Sequence, residues 1–567
     1  MNQKMSLPAS TFASTQHAVS DVKRPCASFP PNIWGDTFLQ YASESVGVSY
    51  NAKQQAQNLK EEVKMMFQSL NQSIMQKLNF IDSIQRFGIS YHFQKEINQA
   101  LEQIHNTCTK NNNIIIEDEN HHFLALLFRL LRQQGYQISS NVFNKFKNKQ
   151  GNFNKTLAND IQGLCSLYEA AQLRTHGDDI LEEAFDFSNG QLMSLANQLS
   201  RSLVAQINHC LRKPFNKSVL RFETRYHMSL YEKDPSHRET LITFANVDFH
   251  ILQKMYLKEI GMITKWWKKS NLVKKVPYAR DRLVESFVWS LAFSDIPEYS
   301  KARMFQGKLM AVVTILDDTY DAYGTFQELE IFTEAIQRWD ITAIGSLPQC
   351  MKAVFDAIIE LCEEMELETT ESGKSSFMVP RFKQAVSKLV KGYMIEAKWC
   401  HKGLIPTYEE YKVNGVLTSI FTLLMSSFIG LGEYGTEEVL DWIFSDPNII
   451  NAVSLIGRLL NDTSSHKFEQ RRDHVASSVE CCMKQYDISY REAYNFIRKD
   501  VEEYWKVINE ECLRSNDIPK SVLDCVVNYA RVSEVCYENH QDNFTNGGLK
   551  DYVSSLLLDP MCIDQQQ

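Results

Sequence analysis

An all-α fold is what this sequence predicts, on three observations. Apolar residues recur at spacings of three and four across 59–78 and 191–212, and 122–133 is almost unbroken long apolar side chains. Only 14 prolines and 22 glycines punctuate 567 residues, so helices are long and turns few. Alternating strand patterns, βαβ units and a fixed repeat period are all lacking.

Taken in order, residues 1–21 are Ser/Thr-rich, carry no acid before Asp21 and have no apolar core, so they read as a flexible segment rather than a secretory signal. Helical patterning then runs to Tyr231. The polar stretch Tyr231-Glu-Lys-Asp-Pro235-Ser-His237 interrupts it and divides the chain into halves of 22–235 and 236–567. Near the C-terminus, Asn543-Phe-Thr-Asn-Gly-Gly-Leu549 reads as a mobile loop.

Composition narrows the function classes. Hydrophobic residues make up 44% and aromatics 11%, which indicates a globular chain. A formal charge of −9 argues against a nucleic-acid partner, which favours a basic face. No run approaches the roughly 18 consecutive apolar residues of a membrane span. The 13 cysteines, an odd number without a Cys-x-x-Cys pair, read as reduced thiols of a cytoplasmic protein.

Two polar motifs carry the chemistry. Lys308–Leu316 is an apolar run that leads into Asp317-Asp318-Thr319-Tyr320-Asp321. On a helix Asp317 and Asp321 share a face about 5–6 Å apart, and Asp318 is turned away by about 100°. Like charges beside an apolar stem are costly unless a cation relieves them. Oxygen-only ligands suit Mg²⁺, which keeps several waters and bridges carboxylates to a diphosphate. The second motif, Asn461-Asp-Thr-Ser-Ser465-His-Lys-Phe-Glu469, follows another apolar run. Its Asn461, Ser465 and Glu469 stack on one face over about 12 Å. Either motif alone serves equally well as a solvated helix face; two of them can clamp one anion between cations. Arg280 and Arg282 lie upstream of the first motif, and Arg458 stands about one turn before Asn461. Arginines hold diphosphate oxygens through charge-assisted bonds.

This constellation resembles the plant terpene synthase family, and within it the angiosperm sesquiterpene synthases. The likeness covers nearly the whole chain. Arg24-Pro25, eight residues and Trp34 is similar to that family's Arg-Pro-x8-Trp variant. Leu78–Phe93, Leu127–Tyr136, Leu167–Ala170, Tyr278–Glu285 and His466–Gln470 look like further signatures. The resemblance implies a non-catalytic N-terminal helical domain and a C-terminal class I terpenoid synthase bundle around a central cavity. It implies three Mg²⁺ ions, for which Mn²⁺ can substitute: two on Asp317 and Asp321, supported by Asp318, and a third on Asn461, Ser465 and Glu469. Arg280, Arg282 and Arg458 would take the diphosphate. Trp289, Phe421, Tyr537 and Phe544 would face the carbocation, with Thr418 and Ser419 marking a helix break whose carbonyls point at it. Residues 540–549 would close as a lid. The implied reaction is ionisation of farnesyl diphosphate and cyclisation to a sesquiterpene by a cytoplasmic monomer.

Two departures stand out. Thr463 occupies a position usually aliphatic, and Phe544 replaces the family's lid tyrosine, so a proton-transfer role for that hydroxyl is lost. Gly430-Leu-Gly432-Glu-Tyr-Gly435 matches a dinucleotide fingerprint by letters but follows a helix-like run instead of a strand. Gly373-Lys374-Ser375 lacks the first glycine of a phosphate loop. No Asp-x-Asp-Asp occurs, which disfavours cyclisation started by protonation. The alternatives are a monoterpene synthase on geranyl diphosphate, a chain-elongating prenyltransferase, which should carry two Asp-rich motifs, and an inactive helical binding protein.

Overall fold

The computed structural model describes residues 24–561 except 26, 44–46, 70–72, 117–119, 197–199, 471–473 and 515–516. Residues 1–21, expected to be flexible, lie outside the described ones. Helices dominate the described residues. The described strands are a two-residue hairpin, Thr109–Lys110 with Asn113–Ile114. Asn111 and Asn112 turn it with φ of 48° and 62°, the left-handed pair a tight hairpin needs.

Two expected helices are each divided. The first window spans Tyr50–Ser69 and Ile74–Arg86, and the Ser73 side chain caps the second helix by accepting from the Gln76 amide. The other spans Asp179–Ala196 and Arg201–Arg212, with Ser200 at the N-cap. At Ser73 the hydroxyl competes with helix continuation, which apolar spacing alone does not register.

The described apolar residues gather mainly in two cores. One takes residues from Val63 to Ala245. The other runs from Phe249 to Leu557 and also includes Trp34, Phe38, Val219 and Phe222. Helix Leu220–Tyr231 ends at the polar stretch, where Asp234 accepts from the Ser236 amide, and helix Glu239–Ser270 begins beyond it. The first turns of that long helix (Leu241, Ile242, Phe244, Ala245) pack in the first core, and its remainder packs in the second.

The rejected nucleotide motifs have structural work. Gly430 and Gly432 end helix Phe421–Leu431, and Lys374 donates to the carbonyls of both at 3.3 and 2.8 Å. A Cβ on Gly435 would stand 2.3 Å from the Gly430 carbonyl oxygen, so the glycines close a tight crossing.

One stretch among the described residues, Tyr408–Leu431, is long and on average apolar enough to cross a membrane, although Glu409, Glu410, Lys412 and Asn414 leave it without a long unbroken apolar run. Its apolar window is 72% buried inside the protein, and its helix breaks at Ser419–Ile420. It is a core element of the second bundle.

Candidate active site

The first motif forms the last turn of helix Ser300–Ala322, and the second motif the end of helix Asn448–Glu469. Both helices are apolar along their stems and bury nearly every residue before the motif, so the polar residues surface together at one end of the bundle. Asp317, Asp321, Asn461, Ser465 and Glu469 all line one cavity of about 520 Å³. His474 spans the motifs: its Nε2 lies 2.8 Å from Asp321 Oδ1, and its Nδ1 3.8 Å from Glu469 Oε2. The two acidic faces are therefore opposed within the reach of one imidazole.

Asp318 is fully buried and turned from the cavity, as the helical period requires. It holds Arg280: the Arg280 amide and Nε donate to Asp318 Oδ2 at 2.7 and 3.2 Å. Arg280 Nη2 also lies 2.8 Å from Asp317 Oδ2. Burial pushes the Asp318 carboxyl up to about 7, against the pull of Arg280. Arg458 lines the same cavity and donates to the Thr418 carbonyl and to Asn461 Oδ1.

Arg282 sits elsewhere. Its guanidinium is buried outside the cavity lining and donates to the carbonyls of Pro30 and Thr545. Those carbonyls satisfy its donors, so it ties the N-terminal segment to the late loop instead of facing the cavity. Thr418 and Ser419 do mark a helix break: helices Tyr408–Thr418 and Phe421–Leu431 are separated by Ile420 at φ 65°. Neither residue lines the cavity, and the Thr418 carbonyl is engaged by Arg458.

The four aromatics gather in one cluster. Trp289 is the hub, with ring centroids 6.0 Å from Phe421, 6.4 Å from Tyr537 and 6.3 Å from Phe544. The other three rings pack on Trp289 behind the cavity lining, where burial of apolar surface holds them together. The late loop, read as mobile, is packed down. Phe544 and Leu549 are buried, Asp542 accepts from the Thr545 amide, and Thr545 Oγ1 accepts from Arg280 at 3.2 Å. Thr463 is buried off the cavity and donates to the Leu460 carbonyl, so its hydroxyl is satisfied within its own helix.

Several lining residues are not picked out as site residues by the motif spacing. Glu396, from helix Ser375–His401, accepts from Thr418 Oγ1 at 2.7 Å, and burial lifts its carboxyl to about 7. Tyr393, one turn earlier, faces Asp317. Asp462 accepts from the Tyr411 hydroxyl at 2.8 Å and the Ser478 amide at 3.1 Å. Pro25 and Phe29 cover one wall from the N-terminal segment, which Arg24 anchors on Glu328 at 2.7 Å. A patterned search could have found Glu396 only by noticing an acid inside an apolar helix face.

A divalent cation fits this donor set. Carboxylates are crowded against each other, and burial raises Glu396 and Glu469 above the ordinary carboxylate range. Among the described residues, no three His, Cys, Asp or Glu side chains cage an ion unaided. Oxygen donors such as these suit Mg²⁺, which completes its shell with water and phosphate oxygens.

The profile described as "Terpene synthase family, metal binding domain" matches residues 268–507, and "Terpene synthase, N-terminal domain" matches residues 33–211. The chain belongs to the terpene synthase family. Among relatives of this terpene synthase, a (−)-germacrene D synthase of Vitis vinifera is 43% identical over 97% of this chain and 98% of its own. A probable sesquiterpene synthase of Santalum austrocaledonicum is 42% identical over 99% and 100%. Limonene synthase solved with 2-fluorolinalyl diphosphate superposes with a TM-score of 0.87 at 28% identity, covering 95% of this chain and all of the other. Isoprene synthase from grey poplar leaves, solved with three Mg²⁺ ions and dimethylallyl-S-thiolodiphosphate, gives 0.83 at 31% identity over 93% and 99%. As a terpene synthase with a metal-binding domain, the enzyme depends on divalent metal.

Proposed function

We propose that this terpene synthase is a sesquiterpene synthase, ionising farnesyl diphosphate and cyclising the cation with release of diphosphate. The observation that carries the reading is the opposition of Asp321 and Glu469 across His474 at the mouth of one cavity. Asp317, Asp321 and Glu396 on one wall and Asn461, Ser465 and Glu469 on the other would hold the ions, three Mg²⁺ in the fullest form. Bound divalent ions supply the charge neutralisation that makes diphosphate a competent leaving group. The chain's own residues do the remainder. Arg280 and Arg458 bring fixed positive charge to the same mouth, where it stabilises negative charge as the carbon–oxygen bond breaks. Trp289, Phe421, Tyr537 and Phe544 part to admit the isoprenoid tail and offer π faces that stabilise a cation without attacking it. The segment around Phe29 and the loop 540–549 exclude water, which would quench the cation.

Farnesyl over geranyl diphosphate is supported by the Arg24-Pro25-x8-Trp34 pattern and by the sesquiterpene names of the relatives. The division at residue 235 into a non-catalytic and a catalytic part belongs to this reading, as do the monomeric state and a cytoplasmic site. Purified enzyme is given Mg²⁺ and farnesyl diphosphate, with and without isopentenyl diphosphate, and in parallel geranyl diphosphate. Volatile fifteen-carbon products on gas chromatography are expected. Elongated diphosphates, or turnover of geranyl diphosphate alone, would overturn the assignment.

A further inference from the structure

The loop 540–549 that covers the carboxylate mouth is bounded by Glu538 before it and Tyr552 after it. One side chain from the N-terminal half meets both. Lys213 Nζ donates to Glu538 Oε2 at 2.9 Å and lies 5.7 Å from the centre of the Tyr552 ring. Lys213 follows helix Arg201–Arg212 and has a side chain only 11% exposed, so it is held rather than waving in solvent. Arg212 adds bonds of 2.8 and 2.7 Å to Glu538 Oε1 from a largely exposed position.

The step from Glu538 into the loop is made by two consecutive left-handed residues, Asn539 at φ 57° and His540 at φ 54°. Left-handed non-glycine residues relax toward the right-handed basin unless their neighbours are fixed. Glu538 is the neighbour fixed from outside the bundle. Beyond the step, Asp542 and Thr545 line the cavity, and Thr545 bonds Arg280 and Arg282. A chain of contacts therefore runs from Lys213 through Glu538 and the loop to Arg280 and Asp317.

We propose that Lys213 is a positioning residue for the reaction: by holding Glu538 and Tyr552 together, it lets the N-terminal half set the closed position of the 540–549 loop. This deepens, and for its catalytic consequence rests on, the reading that the loop shields a cation. The N-terminal half then acts on the reaction without touching the substrate.

The test uses the full-length enzyme and two readouts. The first is hydrogen exchange in the peptide 538–552 for wild type, Lys213→Met and Lys213→Arg, without substrate. The second is steady-state turnover of farnesyl diphosphate with the share of water-captured alcohols among the products. Lys213→Met should speed exchange in 538–552 by about tenfold, lower kcat/KM by a similar factor and raise the alcohol share. Lys213→Arg should restore most of each. Should Lys213→Met fail to fold, Glu538→Gln is read by the same criteria. Unchanged exchange in 538–552 overturns the clamp. Faster exchange without any change in products or kcat/KM overturns its catalytic consequence. A wild type that makes no terpene removes the function reading instead, and the exchange result then decides the clamp by itself.

Discussion

At the scale of single residues, the mouth of the cavity is a problem of excess negative charge. Asp317 is the most exposed of the ion-paired acids there among the described residues, with its side chain 34% accessible and Arg280 opposing it within ion-pair distance. Asp317→Ala should cut product formation by about 10²–10³-fold, because the mouth loses a carboxylate that would hold a charge-neutralising divalent ion, with an unchanged unfolding midpoint by calorimetry. Glu396 gives a pH prediction. Its carboxyl is raised to about 7 by burial, so at pH 6 it is mostly protonated and at pH 8 mostly ionised. Only the ionised form can serve a cation. Mg²⁺ affinity, followed by titration calorimetry, should therefore rise between pH 6 and 8, and Glu396→Gln should flatten that rise. An equal pH slope in wild type and variant would remove Glu396 from the metal site.

At the scale of elements, the two motif helices and the broken helix between them decide the shape of the site. The break at Ser419–Ile420 starts a new helix at Phe421, whose ring presses on the backbone of the second-motif helix at Gly457. A Cβ there would come within 2.6 Å of the Phe421 ring. Gly457→Ala should thus push Phe421 into Trp289 and lower stability by about 1–3 kcal/mol, in spite of alanine's better helix propensity. The same variant should alter product ratios on gas chromatography, because the aromatic cluster moves as a unit around Trp289. A higher unfolding midpoint with unchanged products would show that Phe421 has room to give way.

At the scale of the whole molecule, buried ion pairs weld the two halves. In the N-terminal half, the signature segments converge on one network: Arg86 pairs with Asp82 at 2.9 Å and Glu169 at 2.6 Å, and Arg129 pairs with both. These segments resemble a catalytic family yet do structural work. Between the halves, Glu502 receives Lys217 at 2.7 Å and Arg174 at 2.8 Å. Burial opposes its charge, but Lys217, Arg498 and Arg174 outweigh that and hold its carboxyl far below 4.5. A depressed carboxyl stabilises the fold above its unfolded value, and that stability disappears as the pH falls. Glu502→Gln should cost on the order of 2 kcal/mol near pH 7, less than the ~3–5 kcal/mol of a fully buried pair because a fifth of the side chain stays exposed. The gap between wild type and variant in urea denaturation should narrow from about pH 5 to pH 3. A gap independent of pH would mean that the pairing contributes nothing.

Local chemistry was legible from the chain alone: helical spacing, the scarcity of breakers, and two four-residue oxygen ladders, because each is set within a few turns of one helix. Asp317, Asp321, Asn461, Ser465 and Glu469 could therefore be named without coordinates. What lies between distant segments could not. Glu396 joining the mouth, Arg282 turning to Pro30 and Thr545, the aromatics closing on Trp289, and Lys213 reaching Glu538 each depend on which surfaces meet when separate helices pack. A side chain's direction is fixed by its own helix, but what it faces is fixed only by the neighbour that tertiary packing delivers.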